Sequence, residues 1–201
     1  MGQEASVYLI GYTSGDWART TAGFSDFTVA KISSNGTTLW RWQDGTEKVD
    51  YLYSGVVRSD GSLLCVGYTY GDWDGDGLGG TDFAAIMLDP DGDELWRWMD
   101  GTSSSDYTLA VALTEDESVV ICGYTSGSFS GDNAGSTDMV VIKLSSDGDS
   151  LWAWQDGTDK RDQLVECVVG SDGSIYWAGN TYGNWQGTNF GSQDFAAAKL
   201  D

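Results

Sequence analysis

No histidine occurs among the 201 residues. A Ser-His-Asp triad, a Cys-His pair and a His-ligated catalytic zinc are therefore closed to this chain. What remains for chemistry is carboxylates and aromatic rings. Glu47, Glu94 and Glu166 are acids that break an otherwise regular repeat, and a glycosidase, which needs only paired carboxylates, would be sought there. A second acidic feature is the run Asp72, Asp74, Asp76 and Gly77. Alternate carboxylates followed by glycine match the first half of a calcium loop, where the oxygens converge on a hard cation and glycine permits the sharp turn. The twelfth position from Asp72 is Phe83 in place of a bidentate glutamate, with Asp82 beside it. Calcium, held by Asp72, Asp74, Asp76 and Asp82, is thus the candidate cofactor, set against a solvated acidic turn.

Rings supply the third chemistry. Four Gly-rich segments, SGDWARTTAGFSD, YGDWDGDGLGGTD, SGSFSGDNAGSTD and YGNWQGTNFGSQD, each carry a large ring at the fourth position: Trp17, Trp73, Phe129 and Trp185. A flat apolar ring next to Asp or Asn suits a sugar, whose C–H face stacks while its hydroxyls find polar partners. The competing expectation is that each ring folds back and plugs a neighbouring unit. No catalytic residues are assigned, and the expected activity is binding: a non-enzymatic module, with glycan or protein as its partner.

These segments belong to a repeat. Ser6, Ser62, Ser118 and Ser174 recur every 56 residues without insertion, dividing the chain into repeats 6–61, 62–117, 118–173 and a partial 174–201 within one domain. Each repeat holds four strand-like pieces, SVVICGYT (a), DMVVIKLS (b), SLWAWQDGT (c) and DQLVECVVGS (d) in its third copy. Branched and aromatic residues alternate with Gly, Asp and Asn turn signals. SDGS links d to a, and SSNGTT, DPDGDE and SSDGDS link b to c, so both joints read as tight hairpins. Four antiparallel strands at this period predict an all-β fold, the blades of a β-propeller. Asp26, Asp82, Asp138 and Asp194 open strand b and are expected to tie the a–b loop to backbone N–H groups. Asp50, Asp106 and Asp162 open strand d, either ringing a channel or serving as ordinary strand-entry turns.

The stretch from Asp106 to Thr158, DYTLAVALTEDESVVICGYTSGSFSGDNAGSTDMVVIKLSSDGDSLWAWQDGT, resembles the SBBP-type β-propeller repeat in its GYT, DG and W-x-x-Q-x-GT spacing. The resemblance extends over nearly the whole chain and implies fold, with strand d innermost and c outermost. The chain then reads abc, dabc, dabc, dab, about three and a half blades. Incomplete closure implies sheet edges that recruit a partner, and a homo-oligomer formed through those unfinished edges is expected.

The phrases LWRWQDGT, LWRWMDGT and LWAWQDGT place Trp40 with Trp42, Trp96 with Trp98 and Trp152 with Trp154 two residues apart, on one face of strand c. Burial of one such ring is worth roughly 4–6 kcal/mol as an upper figure, so the six should be wedges between blades. Asp44, Asp100 and Asp156 end these strands at a turn. Thirty-one acidic against 10 basic residues give a net charge of −21, which repels phosphate backbones and anionic lipid, so neither nucleic acid nor membrane is an expected partner. Cys65, Cys122 and Cys167 lie in apolar strands and read as buried thiols. The opening stretch MGQEASVYLIGYT lacks the basic start and long apolar run expected of a signal peptide. An extracellular or cell-surface setting is the expectation for such a module.

Overall fold

The computed structural model describes residues 6–75 and 77–200, which form fourteen strands in four antiparallel sheets and contain no helix. The first sheet holds β1 (Ser6–Thr13), β2 (Asp26–Ser33) and β3 (Thr38–Asp44). The second holds β4 (Asp50–Val57), β5 (Leu63–Thr69), β6 (Asp82–Leu88) and β7 (Glu94–Asp100). The third repeats it with β8 (Asp106–Leu113), β9 (Val119–Thr125), β10 (Asp138–Leu144) and β11 (Ser150–Asp156). The fourth holds β12 (Asp162–Val169), β13 (Ile175–Thr181) and β14 (Asp194–Leu200). The two middle sheets are meanders in the order d-a-b-c, the first holds a-b-c and the fourth d-a-b, and successive sheets meet through their first strands, β1 with β4, β4 with β8 and β8 with β12. The chain is an all-β propeller built from 56-residue blades. Among the described residues these contacts trace an arc from β1 to β12.

Turn chemistry fixes the meander. In the b–c hairpins Gly36, Gly92 and Gly148 adopt φ of 86°, 93° and 91°, a left-handed conformation open to glycine at little cost. Asp89 shows why the preceding acid belongs there, since its Oδ1 accepts from the N–H of Asp91 and of Asp93, both at 2.9 Å. A bulge falls at the same place in each d–a pair, between Leu52 and Ser54, Thr108 and Ala110, and Leu164 and Glu166. It presses the strand-d backbone onto Gly67, Gly123 and Gly179, where a Cβ would collide with the carbonyls of Tyr51, Tyr107 and Gln163.

The core lies between blades. Phe27 and Val29 of the first sheet pack on Leu63, Cys65, Ile86 and Leu88 of the second. Phe83 and Met87 pack on Val119, Ile121 and Ile142 of the third, and Met139 and Val141 on Ile175 and Trp177 of the fourth. β5 and β6 are buried at every position because blades cover both their faces.

Trp40 and Trp96 reach across these boundaries. The Trp40 indole N–H donates to the Pro90 carbonyl at 3.0 Å and that of Trp96 to the Ser146 carbonyl at 3.2 Å, each in the next blade's b–c hairpin. The rings lie over Gly92 and Gly148, where any side chain would strike them. Trp98 is 8% exposed and donates to Ser150 Oγ at 3.1 Å, while Trp42 and Trp154 are half-buried against the neighbouring core. Trp152 departs from the pattern at 40% exposure.

Candidate functional site: the rim of the inner strands

The C-terminal ends of the a strands, the N-terminal ends of the d strands, the a–b loops and the c–d turns gather on one rim. Each loop is pinned from below. Gln43 Oε1 accepts from the N–H of Trp17 and of Ala18 at 2.9 Å, and its Nε2 donates to Asp26 Oδ2 at 2.8 Å and to the Gly15 carbonyl at 3.2 Å. Gln155 repeats this with Phe129, Ser130, Asp138 and Gly127. Asp26, Asp82, Asp138 and Asp194 accept from the N–H of Ala22, Leu78, Ala134 and Phe190, at 3.0, 3.2, 2.9 and 2.7 Å. The loops are therefore held in place, with several of their backbone donors already used.

That pinning decides where the four rings go. Trp73 is 7% exposed, 4.7 Å from the Phe27 ring, with its indole N–H on Asp44 Oδ2 at 2.9 Å. Phe129 meets Phe83 edge-on at 5.2 Å. Trp185 donates to Asp156 Oδ2 at 3.0 Å and lies 5.1 Å from the Trp177 ring. Three of the rings thus join their blade to the preceding one. Trp17, under the Arg41 guanidinium at 5.0 Å, instead lines an open cavity of about 260 Å³ with Leu9, Tyr12 and Thr28.

Asp50, Asp106 and Asp162 close strand-entry turns and ring no channel, and all three are fully buried. Asp50 Oδ2 accepts from the Thr46 N–H at 2.6 Å, and its carboxylate also takes the Thr46 and Thr69 hydroxyls. Asp106 and Asp162 take the Thr102 and Thr158 N–H groups at 2.6 Å. Each clasp faces the strand-b aspartate of the preceding blade, Asp26, Asp82 or Asp138, across the glycine of the DGT turn. Asp82 Oδ1, Asp138 Oδ1 and Asp162 Oδ1 are buried without a hydrogen-bond partner among the described residues. Burial, the largest influence, raises the pKa of Asp50, Asp82 and Asp106.

Of the calcium candidates, Asp82 is committed inside this arrangement, and Asp72 Oδ1 accepts from the Gly77 N–H at 3.2 Å. Asp74 is exposed, and Asp76 lies outside the described residues. Among the described residues no group of three or more acidic, cysteine or histidine side chains is placed to hold a metal. Glu94 is taken by Arg97 at 2.5 Å, and Glu166 Oε1 accepts from the Cys167 N–H at 3.1 Å. Glu47 lies on the rim, lining a cavity of about 450 Å³ with Thr46, Lys48 and Asp72.

The feature that sequence reasoning missed is a band of tyrosines on the inner strands. Tyr12 meets Tyr51 at 4.2 Å, Tyr51 meets Tyr68 at 5.6 Å, Tyr53 stacks on Tyr68 at 5.3 Å, Tyr68 meets Tyr107 at 4.8 Å and Tyr107 stacks on Tyr124 at 5.0 Å. The band crosses three blades. Tyr53 and Tyr68 hydroxyls share a hydrogen bond at 3.1 Å. Tyr12 and Tyr53 remain 57% and 53% exposed. Burial raises the pKa of Tyr68 and Tyr124, and hydrogen bonding with Tyr107 raises that of Tyr70, so these phenols stay neutral throughout the physiological range. The signal is present in GYT and DY, but in sequence these letters mark strands alone; the antiparallel register, Tyr51 opposite Tyr68 and Tyr107 opposite Tyr124, joins them within each blade.

No family model matches the chain, and a search of curated proteins returned no match. Among solved structures it is similar to a protein of unknown function from Bacteroides caccae, with a TM-score of 0.50 and 11% identity over 77% of this chain and 48% of that one. A second similar structure is Drosophila Plexin A in complex with Semaphorin 1b, at a TM-score of 0.33 and 12% identity over 98% of this chain and 54% of the other. The chain spans about half the length of the solved chains it matches. The first likeness concerns fold alone. No helix among the described residues is long and apolar enough to cross a membrane.

Proposed function

We propose that this chain is a non-enzymatic interaction module of the SBBP-type propeller kind, and that it binds glycans on the tyrosine band of its inner strands. The observation that carries the reading is the continuity of that band from Tyr12 to Tyr124 with Tyr12 and Tyr53 more than half exposed. Tyrosine presents a rigid apolar face and a hydroxyl at low entropic cost, the combination needed by a sugar ring with one C–H face and several hydroxyls. The chain carries a net charge of −21, which favours neutral or cationic ligands over anionic ones. An extracellular or cell-surface setting goes with this reading.

Glycan-array screening followed by calorimetry tests it. A Tyr12→Ala/Tyr53→Ala variant should lose binding at least tenfold while remaining cooperatively folded with only a modest fall in melting temperature, since both rings are more than half exposed and their contacts with Tyr51 and Tyr68 are all that is lost. Unchanged affinity in that variant, or no glycan bound by the native chain, would end the proposal. The calcium reading of the Asp72 and Asp74 loop is tested separately by melting with and without millimolar calcium; a rise that Asp74→Asn abolishes is the result it requires.

A further inference from the structure

The repeat lets each residue be compared with its own copies, and at the two ends of the arc the copies disagree. Phe27, Phe83 and Met139 occupy one register position at the start of strand b and are 0%, 1% and 0% exposed; Phe195, in the same position of the fourth sheet, is 75% exposed. Leu9 shows the converse. It is 54% exposed, whereas Cys65, Ile121 and Trp177 at its position are 0%, 1% and 3% exposed. Val7 is 59% exposed against 1%, 0% and 4% for Leu63, Val119 and Ile175.

These are opposite halves of one contact. At every internal boundary the residue at the Phe27 position packs toward the loop ring of the following blade: Phe27 on Trp73 at 4.7 Å, Phe83 on Phe129 at 5.2 Å, and Met139 in the cluster that includes Trp185. Among the described residues, the trailing face of the fourth sheet offers Phe195 with no following ring against it, and the leading face of the first sheet offers Trp17 beside a cavity of about 260 Å³ with no preceding phenylalanine against it. Each bare face is the register mate of the other, and the same chain already makes that contact three times.

We infer that two copies of this chain associate head to tail, the trailing face of β13 and β14 in one copy docking on the leading face of β1 and β2 in the other, with Phe195 seated against Trp17 of the second copy. The interface is heterologous, continuing the internal blade packing through sheet faces. A net charge of −21 opposes the approach of two copies, so salt strengthens the association by screening. Exposed apolar surface of this extent at both ends is otherwise costly to leave in water.

Sedimentation velocity over a concentration series, with and without added salt, tests this. The native chain should sediment as an assembly of two or more copies that is promoted by salt. Leu9→Asp and Phe195→Asp, both at exposed positions and so expected to keep the melting profile that the native chain shows when diluted to a monomer, should each be monomeric. Mixing them should restore a two-copy species and nothing larger, because one variant keeps its trailing face and the other its leading face. A monomeric native chain at all concentrations, a variant that still self-associates, or a mixture that stays monomeric would each overturn the inference. None of these outcomes depends on the tyrosine band.

Discussion

Glu117 sits at φ 61°, where its counterparts in the other d–a hairpins, Gly61 and Gly173, sit at 89° and 82°. A side chain in that conformation costs about 1 kcal/mol or more. Glu117 answers with a cross-blade contact, its carboxylate accepting from Arg58 Nε at 3.1 Å and from the Ser59 N–H at 3.2 Å. An ion pair so near the surface is worth about 0–1 kcal/mol. Glu117→Ala should therefore keep the strain, lose the pair and melt lower, whereas Glu117→Gly should melt at or above the native temperature. The tryptophans permit a second comparison at single positions. Trp98→Ala opens a cavity in a packed boundary and should cost about 3–5 kcal/mol in chemical denaturation, while Trp152→Ala, at 40% exposure, should cost markedly less. The wedge role of these rings was legible because spacing by two on a strand is unambiguous. The difference between Trp98 and Trp152 was not, because it depends on which blade lies alongside and no local pattern carries that.

The strands themselves were legible: DMVVIKL and SLWAWQD are bounded by the acids and glycines that end them in space. What alternation could not give was the pairing of carboxylates from adjacent blades, since Asp82 and Asp106 are brought together by long-range contacts, the parallel bridge of Thr81 with Ser105 and the bonds of the Asp106 N–H to Thr81. This element has a measurable pH signature. Asp50, Asp82 and Asp106 have folded pKa values raised above an ordinary value near 3.8, chiefly by burial. Between the ordinary and the raised value the folded state holds more protons than the unfolded one, so this contribution to stability falls as pH rises through that window. Asp60, Asp116 and Asp172 in the hairpins act oppositely, lowered by hydrogen bonds from Ser62, Thr114 and Ser174, with Asp116 at about 2. Their contribution is present above 3.8 and is lost as pH falls below it. Melting temperature should therefore rise on mild acidification and drop at stronger acidity. Asp82→Asn should weaken the rise and stabilise the neutral protein by about 1 kcal/mol, since the amide can donate toward Asp106 where Asp82 Oδ1 now lacks a partner.

At the scale of the molecule, stability should be graded along the arc. A stack of like units holds together by nearest-neighbour contacts, so an inner unit gains two boundaries and an end unit one. β5, β6, β9 and β10 are covered on both faces, and among their residues only Tyr124 and Lys143 are more than marginally accessible. β1 and β14 alternate between half-buried and exposed positions along most of their length. Amide hydrogen exchange at low concentration should accordingly show the slowest opening in β5, β6, β9 and β10 and progressively faster opening toward β1 and β14. If copies join end to end, the gradient must flatten as concentration rises, with β1 and β14 slowing together because one boundary protects both. Uniform protection at all dilutions would mean that the four sheets open as one cooperative body. Slowing of β14 without β1 would mean that the partner on that face is something other than the leading face of a second copy.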